Sequence, residues 1–177
     1  MKVLKYDTSI EEVKQACWDS PTVFLAGPTV RGNQPHLTSW RIEAVKLFKE
    51  KGFRGNLIVP EFPRPSDSDQ SRYDLPVWEF NSLVDCDVIM FWVPRTRELI
   101  ALTTNHELGL WMAQDRRKVV YGRPNDAYRI SYLDVMWVEH YRRFYGKPVG
   151  DSVAIHTTLS KTIDAVLQNK RLYQEKN

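Results

Sequence analysis

Apolar residues along this chain alternate between short unbroken runs and longer stretches of helical spacing. The run TVFLAG (Thr22 to Gly27) ends at Gly-Pro. In TSWRIEAVKLFKEKGF, Thr38 or Ser39 is a candidate cap, the apolar positions follow a helical period and Gly52 closes the segment, so strand, loop and helix are predicted. NLIVPEF (Asn56 to Phe62) reads as a strand closed by prolines, and PRPSDSDQSRYDLP has the composition of a loop. PVWEFNSLVDC reads as a helix with Pro76 in its first turn. It leads into DVIMFWVP (Asp87 to Pro94), whose continuous apolar character suits a strand covered on both faces. TNHELGLWMAQD is a further helix and KVVYG (Lys118 to Gly122) a further buried strand. ISYLDVMWVEHYRRF and SVAIHTTLSKTIDAVLQN read as helical, and either has room for a fifth strand.

Strands and helices in strict alternation imply an α/β protein, with a parallel sheet covered by helices on both faces and right-handed crossovers. The expected architecture is a three-layer fold with a four- or five-stranded parallel sheet, and residues 1–177 are expected to form one domain without an internal repeat. Ligands of such sheets bind beyond the carboxyl ends of the strands. Three segments should meet there: AGPTVRGN (Ala26 to Asn33), the stretch PRTRELIALTTNHE, and GRPNDAY.

Composition narrows the function classes. Twenty-five Lys and Arg against twenty-two Asp and Glu leave a net charge of +3, too small a surplus to imply a nucleic-acid or membrane partner. The runs Arg116-Arg117-Lys118 and Arg142-Arg143 read as solvated helix ends. Cys17 and Cys86 have no metal-ligand spacing and are too few for a secreted disulfide framework. No apolar stretch nears the roughly 20 residues of a membrane helix, and the amino terminus lacks a signal-peptide pattern. A cytoplasmic protein without metal or cofactor is expected. The loop after the first predicted strand is neither GxGxxG nor a Walker loop, so dinucleotide-dependent and nucleoside-triphosphatase chemistries have no sequence support.

Glu107 admits two readings. Thr104-x-x-Glu107 fits a capping box, in which the carboxylate only bonds backbone at a helix start. Alternatively, a glutamate held ionised by the positive end of a helix, above the sheet's carboxyl edge, is poised as a nucleophile. Retaining glycosyl transfer needs a second carboxyl group, for which Glu79 is the candidate. Asp85 and Asp87 flank Cys86 at the opposite end of a strand and read as structural caps.

FLAGPT, WE, LVDCDVIMFWVP and TNHELG, in that order, resemble motifs of the nucleoside 2-deoxyribosyltransferase family over residues 22–122. The resemblance implies that the three-layer fold is flavodoxin-like (Rossmann-like) and that Glu107, in the Glu-Leu-Gly helix start, is the nucleophile. It implies that Glu79, counted back from Asp87, is the acid that assists protonation of the base, replacing the family's usual aspartate. It also assigns Phe24, Ala26, Gly27, Pro28, Arg31, Thr104 and Asn105 to substrate binding. Phe24 matches the family's strand aromatic without a hydroxyl. Arg31, in a loop similar to that of deoxynucleoside monophosphate glycosidases, faces either a 5'-phosphate or a surface carboxylate. The family aspartate that holds the base falls at Ala101 and is absent.

The expected chemistry is cleavage of the N-glycosidic bond of a nucleoside or nucleotide, with transfer of the deoxyribosyl group to a second free base and no metal. One alternative is a nucleoside or deoxynucleoside 5'-monophosphate hydrolase. Another, from a different class, is a nucleotide-binding sensor without turnover. Trp78, Phe80, Trp92 and Trp111 are expected mostly in the core. The resemblance further implies a homodimer or larger homo-oligomer, with YLDVMWVEHYRRF as the interface candidate and Asp134 reaching across it.

Overall fold

The computed structural model describes residues 1–30, 34, 36–61, 69–146 and 153–174, with backbone only for 69–73. Five strands run parallel: β1 (Lys2–Leu4), β2 (Thr22–Ala26), β3 (Asn56–Ile58), β4 (Val88–Trp92) and β5 (Val119–Gly122), in the order β1-β3-β2-β4-β5. They alternate with α1 (Ile10–Asp19), α2 (Trp40–Glu50), α3 (Asp69–Asp85) and α4 (Leu102–Asp115), and α5 (Ser131–Tyr145) and α6 (Leu159–Leu167) follow.

The period of two within each strand divides the core. Phe24 and Ala26 of β2 and Ile89 and Phe91 of β4 face the layer built from α1, α3, α4 and α5. Val23 and Leu25, with Val88, Met90 and Trp92, face α2 and α6. Both faces of the central strands are thus buried, which explains their unbroken apolar runs. Each such side chain contributes about 1.5–3 kcal/mol by leaving water.

This is a flavodoxin-like three-layer fold. The order β3-β2-β4-β5 repeats the 2-1-3-4 arrangement of that architecture. The fifth strand is not in either carboxy-terminal segment, where it was expected. It is β1, paired with β3 from Lys2↔Asn56 to Leu4↔Ile58. Beyond β5, among the described residues, there is only an isolated parallel bridge, Gly122↔His156. The helix after β1 carries a sequence signal of its own: Ser9 Oγ accepts from Glu12 N at 3.3 Å while Ser9 N donates to Glu12 Oε2 at 3.1 Å, a reciprocal capping box.

Three other boundaries depart from expectation. α2 starts as predicted, with Ser39 Oγ accepting from Arg41 N, but β3 ends at Ile58. α3 begins at Asp69, so Pro76 lies inside the helix and residues 69–75 are not loop; residues 63–68 of the expected loop lie outside the described residues. α4 begins at Leu102. Asp87 is the structural tie predicted for it: its Oδ2 accepts from Thr22 N at 2.7 Å and joins the starts of β2 and β4.

The chain runs from β2 to β3 on one side and then crosses to β4 on the other. The carboxyl ends of β2 and β4 therefore flank the point where connections diverge, the usual location of a ligand crevice in open α/β sheets. Among the described residues no helix is long and apolar enough to cross a membrane.

Candidate functional site

Backbone approach at the end of β2 builds the floor of the crevice. Gly27 has φ 151°, and a Cβ there would stand 2.2 Å from the Trp92 carbonyl oxygen and 2.9 Å from the Trp40 ring. Only glycine lets the ends of β2 and β4 come this close. The chain is then tied to α2, with Trp40 Nε1 donating to the Pro28 carbonyl at 3.0 Å.

Arg41, in the first turn of α2, holds the same loop from beneath and is 1% exposed. Its Nε donates to Leu25 O at 2.9 Å and its Nη2 to Gly27 O at 2.8 Å. Nη1 reaches Pro28 O, Thr29 Oγ1 and Glu61 Oε1 at 3.2–3.3 Å. Ser39 Oγ also donates to Glu61 Oε1. Burial lowers the Arg41 pKa, opposed by the negative charges of Glu61, Glu79 and Glu107. Sequence reasoning missed this residue. A charged position flanked by Trp40 and Ile42 was the available signal, but helix periodicity alone put it on no particular face.

Glu79 of α3 and Glu107 of α4 border one small cavity, together with Phe24, Ala26 and Gly27 of β2 and its loop, and with Arg41. Thr29, Pro60 and Thr103 complete the wall. The space is about 30 Å³, enough to admit a water molecule. Among the described residues neither carboxylate has a hydrogen bond or an ion pair within 4.0 Å. Removal from water raises the Glu107 pKa to about 7, the neighbouring Glu79 charge adds to the rise and Arg41 opposes it. Glu79 is likewise raised to about 7 by burial, against the pull of Arg41.

Two details expected of Glu107 need correction, the cap and the helix field on its charge. It is not a cap: α4 starts at Leu102 after Ala101, which has φ 61° and makes no side-chain cap bond, so Glu107 lies beyond the first turn. That place is also past the reach of the terminal field, and desolvation with the Glu79 charge raises its pKa. Two carboxyl groups that titrate near neutrality beside each other can divide the roles of acid and base.

The other expected positions divide. Phe24, Ala26 and Gly27 line the cavity. Pro28 serves through its carbonyl, as an acceptor for Trp40 and Arg41. Thr104 is buried and is not on the cavity wall, where its neighbour Thr103 stands instead. Asn105 accepts a hydrogen bond from Arg95 Nη2, while Nη1 of that arginine donates to Arg129 O, so Asn105 belongs to the seam beside the cleft. Arg31 lies outside the described residues. Trp78, Trp92 and Trp111 are buried core residues as expected, whereas Phe80 is 49% exposed. Asp134 engages its own chain, accepting from Tyr121 Oη at 2.9 Å and pairing with Arg123 Nη2 at 2.8 Å.

The basic run also differs from expectation: Arg116 and Lys118 are buried, with Lys118 Nζ donating to Val84 O at 2.6 Å, and only Arg117 is exposed. Arg116 borders a cavity of about 470 Å³ beside β5, larger than the carboxylate cleft and lined by none of its residues. Size favours that cavity, but the paired titrating carboxyl groups at the switch point make the smaller cleft the candidate for chemistry. Among the described residues no three His, Cys, Asp or Glu side chains gather to hold a metal ion. No family model matches the chain, and no curated protein matches it.

Proposed function

We propose that the protein cleaves the N-glycosidic bond of a deoxynucleoside or deoxynucleotide and passes the sugar to an acceptor. The observation that carries this reading is the convergence of Glu79 and Glu107 on one cleft, each with a pKa near 7. At neutral pH such a pair favours a state with one proton, leaving one carboxylate to attack and one carboxylic acid to donate.

In the first half-reaction an ionised Glu107 oxygen forms a bond to the anomeric carbon while the carbon–nitrogen bond breaks. The electron pair of that bond leaves with the base, and the Glu79 proton goes to the departing nitrogen. A covalent deoxyribosyl ester of Glu107 results. In the second, an acceptor loses its proton to Glu79 as it attacks the same carbon, and Glu107 is released. Arg41 lies close enough to lower both pKa values, so its charge limits how far burial suppresses ionisation.

A second reading, hydrolysis, takes water as the acceptor, whereas Ala101, where the family places a base-holding aspartate, favours a nucleotide-binding sensor without turnover. Incubation with deoxynucleoside and its 5'-monophosphate, each with and without a different free base, distinguishes the acceptors. Chromatography yields a new nucleoside or nucleotide for transfer and free sugar or sugar phosphate for hydrolysis. Glu107→Gln should abolish either reaction; an unchanged rate in this variant removes Glu107 from the mechanism. The apolar residues exposed along α5, Tyr132, Val135, Met136 and Phe144, support a homo-oligomer, which sedimentation velocity tests.

A further inference from the structure

The 470 Å³ cavity lies between α5, the outer edge of β5 and α6, within the volume range of small-molecule sites. Arg116, in the 3-10 turn Arg116–Lys118 before β5, is 5% exposed and lines it. Its guanidinium carbon sits 3.0 Å from the centre of the Trp137 ring, and Trp137 is itself fixed by Nε1 donating to Val153 O at 3.3 Å. Nε and Nη2 of Arg116 have no hydrogen-bond acceptor among the described residues. No Asp or Glu among the described residues lines the cavity.

The neighbouring arginines contrast with this one. Asp115 pairs with Arg117 Nε at 3.4 Å and with Arg171 Nη1 at 2.9 Å, whereas Arg116 has no ion pair among the described residues. A buried guanidinium supported by one aromatic face carries a desolvation cost that an anion would offset through charge-assisted hydrogen bonds. The rest of the wall suits a flat apolar body. Tyr141 and Tyr145 stack with ring centres 5.4 Å apart at 27°, and Ala154 and Ala165 leave the space beside them open.

We propose that this cavity is a second binding site, separate from the carboxylate cleft, for a small organic anion whose carboxylate or phosphate pairs with Arg116 and whose flat body lies against Tyr141 and Tyr145. Nothing in this site depends on the glycosidic reaction. Its ligand class is defined by one anionic group joined to an aromatic or similarly planar portion.

Isothermal titration with benzoate, phenyl phosphate, benzyl alcohol and inorganic phosphate tests the assignment on the full chain. Saturable binding of benzoate or phenyl phosphate at millimolar concentration or below is expected, at least about tenfold tighter than benzyl alcohol or inorganic phosphate. The stronger of the two anions tells carboxylate from phosphate. Arg116→Met and Ala154→Phe should each weaken it at least about tenfold, and Glu107→Gln should leave it unchanged. Because Ala154→Phe retains Arg116 and fills the space, and the probe series needs no variant, the test survives misfolding of Arg116→Met. The site is refuted if neither anion binds, if benzyl alcohol or inorganic phosphate binds as well, or if affinity persists in a folded Ala154→Phe protein.

Discussion

Glu79 and Glu107 come from consecutive helices and border the same cleft, where the charge of Glu79 helps raise the Glu107 pKa to about 7. Their coupling gives the first prediction. The active state carries its charge on Glu107 and its proton on Glu79, so Glu79→Gln removes the group whose ionisation ends activity at high pH, and the basic limb of kcat/KM should disappear. The departing base also loses its acid, so kcat should fall roughly a hundredfold or more. A pH profile of the variant checks both, and a basic limb that stays in place would mean that Glu79 is not the acid.

Stability should depend on pH through the same pair. Both folded-state pKa values lie above the ordinary 4.5, so the native state binds more protons than the unfolded chain between about 4.5 and 7. This contribution is fully present below 4.5 and is lost as pH rises through about 7. Urea unfolding of Glu79→Gln/Glu107→Gln against wild type should show the variant gaining relative stability between pH 5 and pH 8. A constant difference across that range would contradict the raised values.

Arg41→Met should cost about 3–5 kcal/mol, since it removes a buried charge's bonds to Glu61 and to four other oxygens of β2 and its loop, although Glu61 retains Ser39 and the Pro28 carbonyl retains Trp40. The variant also withdraws the positive charge that lowers both catalytic candidates, so Glu79 and Glu107 should ionise at still higher pH. Denaturant titration reads the first effect, and carbon-13 titration of labelled glutamates in the folded variant reads the second.

Gly27→Ala should destabilise by about 3 kcal/mol, because the new methyl group meets the Trp92 carbonyl at 2.2 Å and φ 151° disfavours any side chain. Thermal and urea unfolding measure it. A neutral outcome would show that the ends of β2 and β4 part easily.

Ala101 precedes α4 in the left-handed region, with φ 61° and ψ 50°. Ala101→Gly should therefore raise stability by about 1 kcal/mol, as only glycine holds that conformation without a Cβ penalty. The shift in the urea midpoint at constant slope is the readout.

Local pattern alone specified much of this protein. The apolar runs of β2 and β4, the Ser39 cap of α2 and the alternation of strands and helices follow from the chemistry of neighbouring residues, and they carry the parallel sheet with them. Short elements were less legible: β1 has three residues and too little periodicity to separate it from a loop, although the Ser9–Glu12 capping box marks the next helix. Glu79 and Glu107 were readable as acids at named positions through the family resemblance. That they share a cleft with Arg41, and that burial brings both near pH 7, depended on how helices from distant parts of the chain pack over one sheet edge. The same holds for Arg116. Within Arg116-Arg117-Lys118 three similar side chains stand in sequence, and only packing buries the first against Trp137 of α5 and the third against Val84 of α3 and Trp111 of α4, while leaving the second in solvent. Spacing in the sequence sets which groups are available; burial and the charges brought close by folding set their protonation and partners.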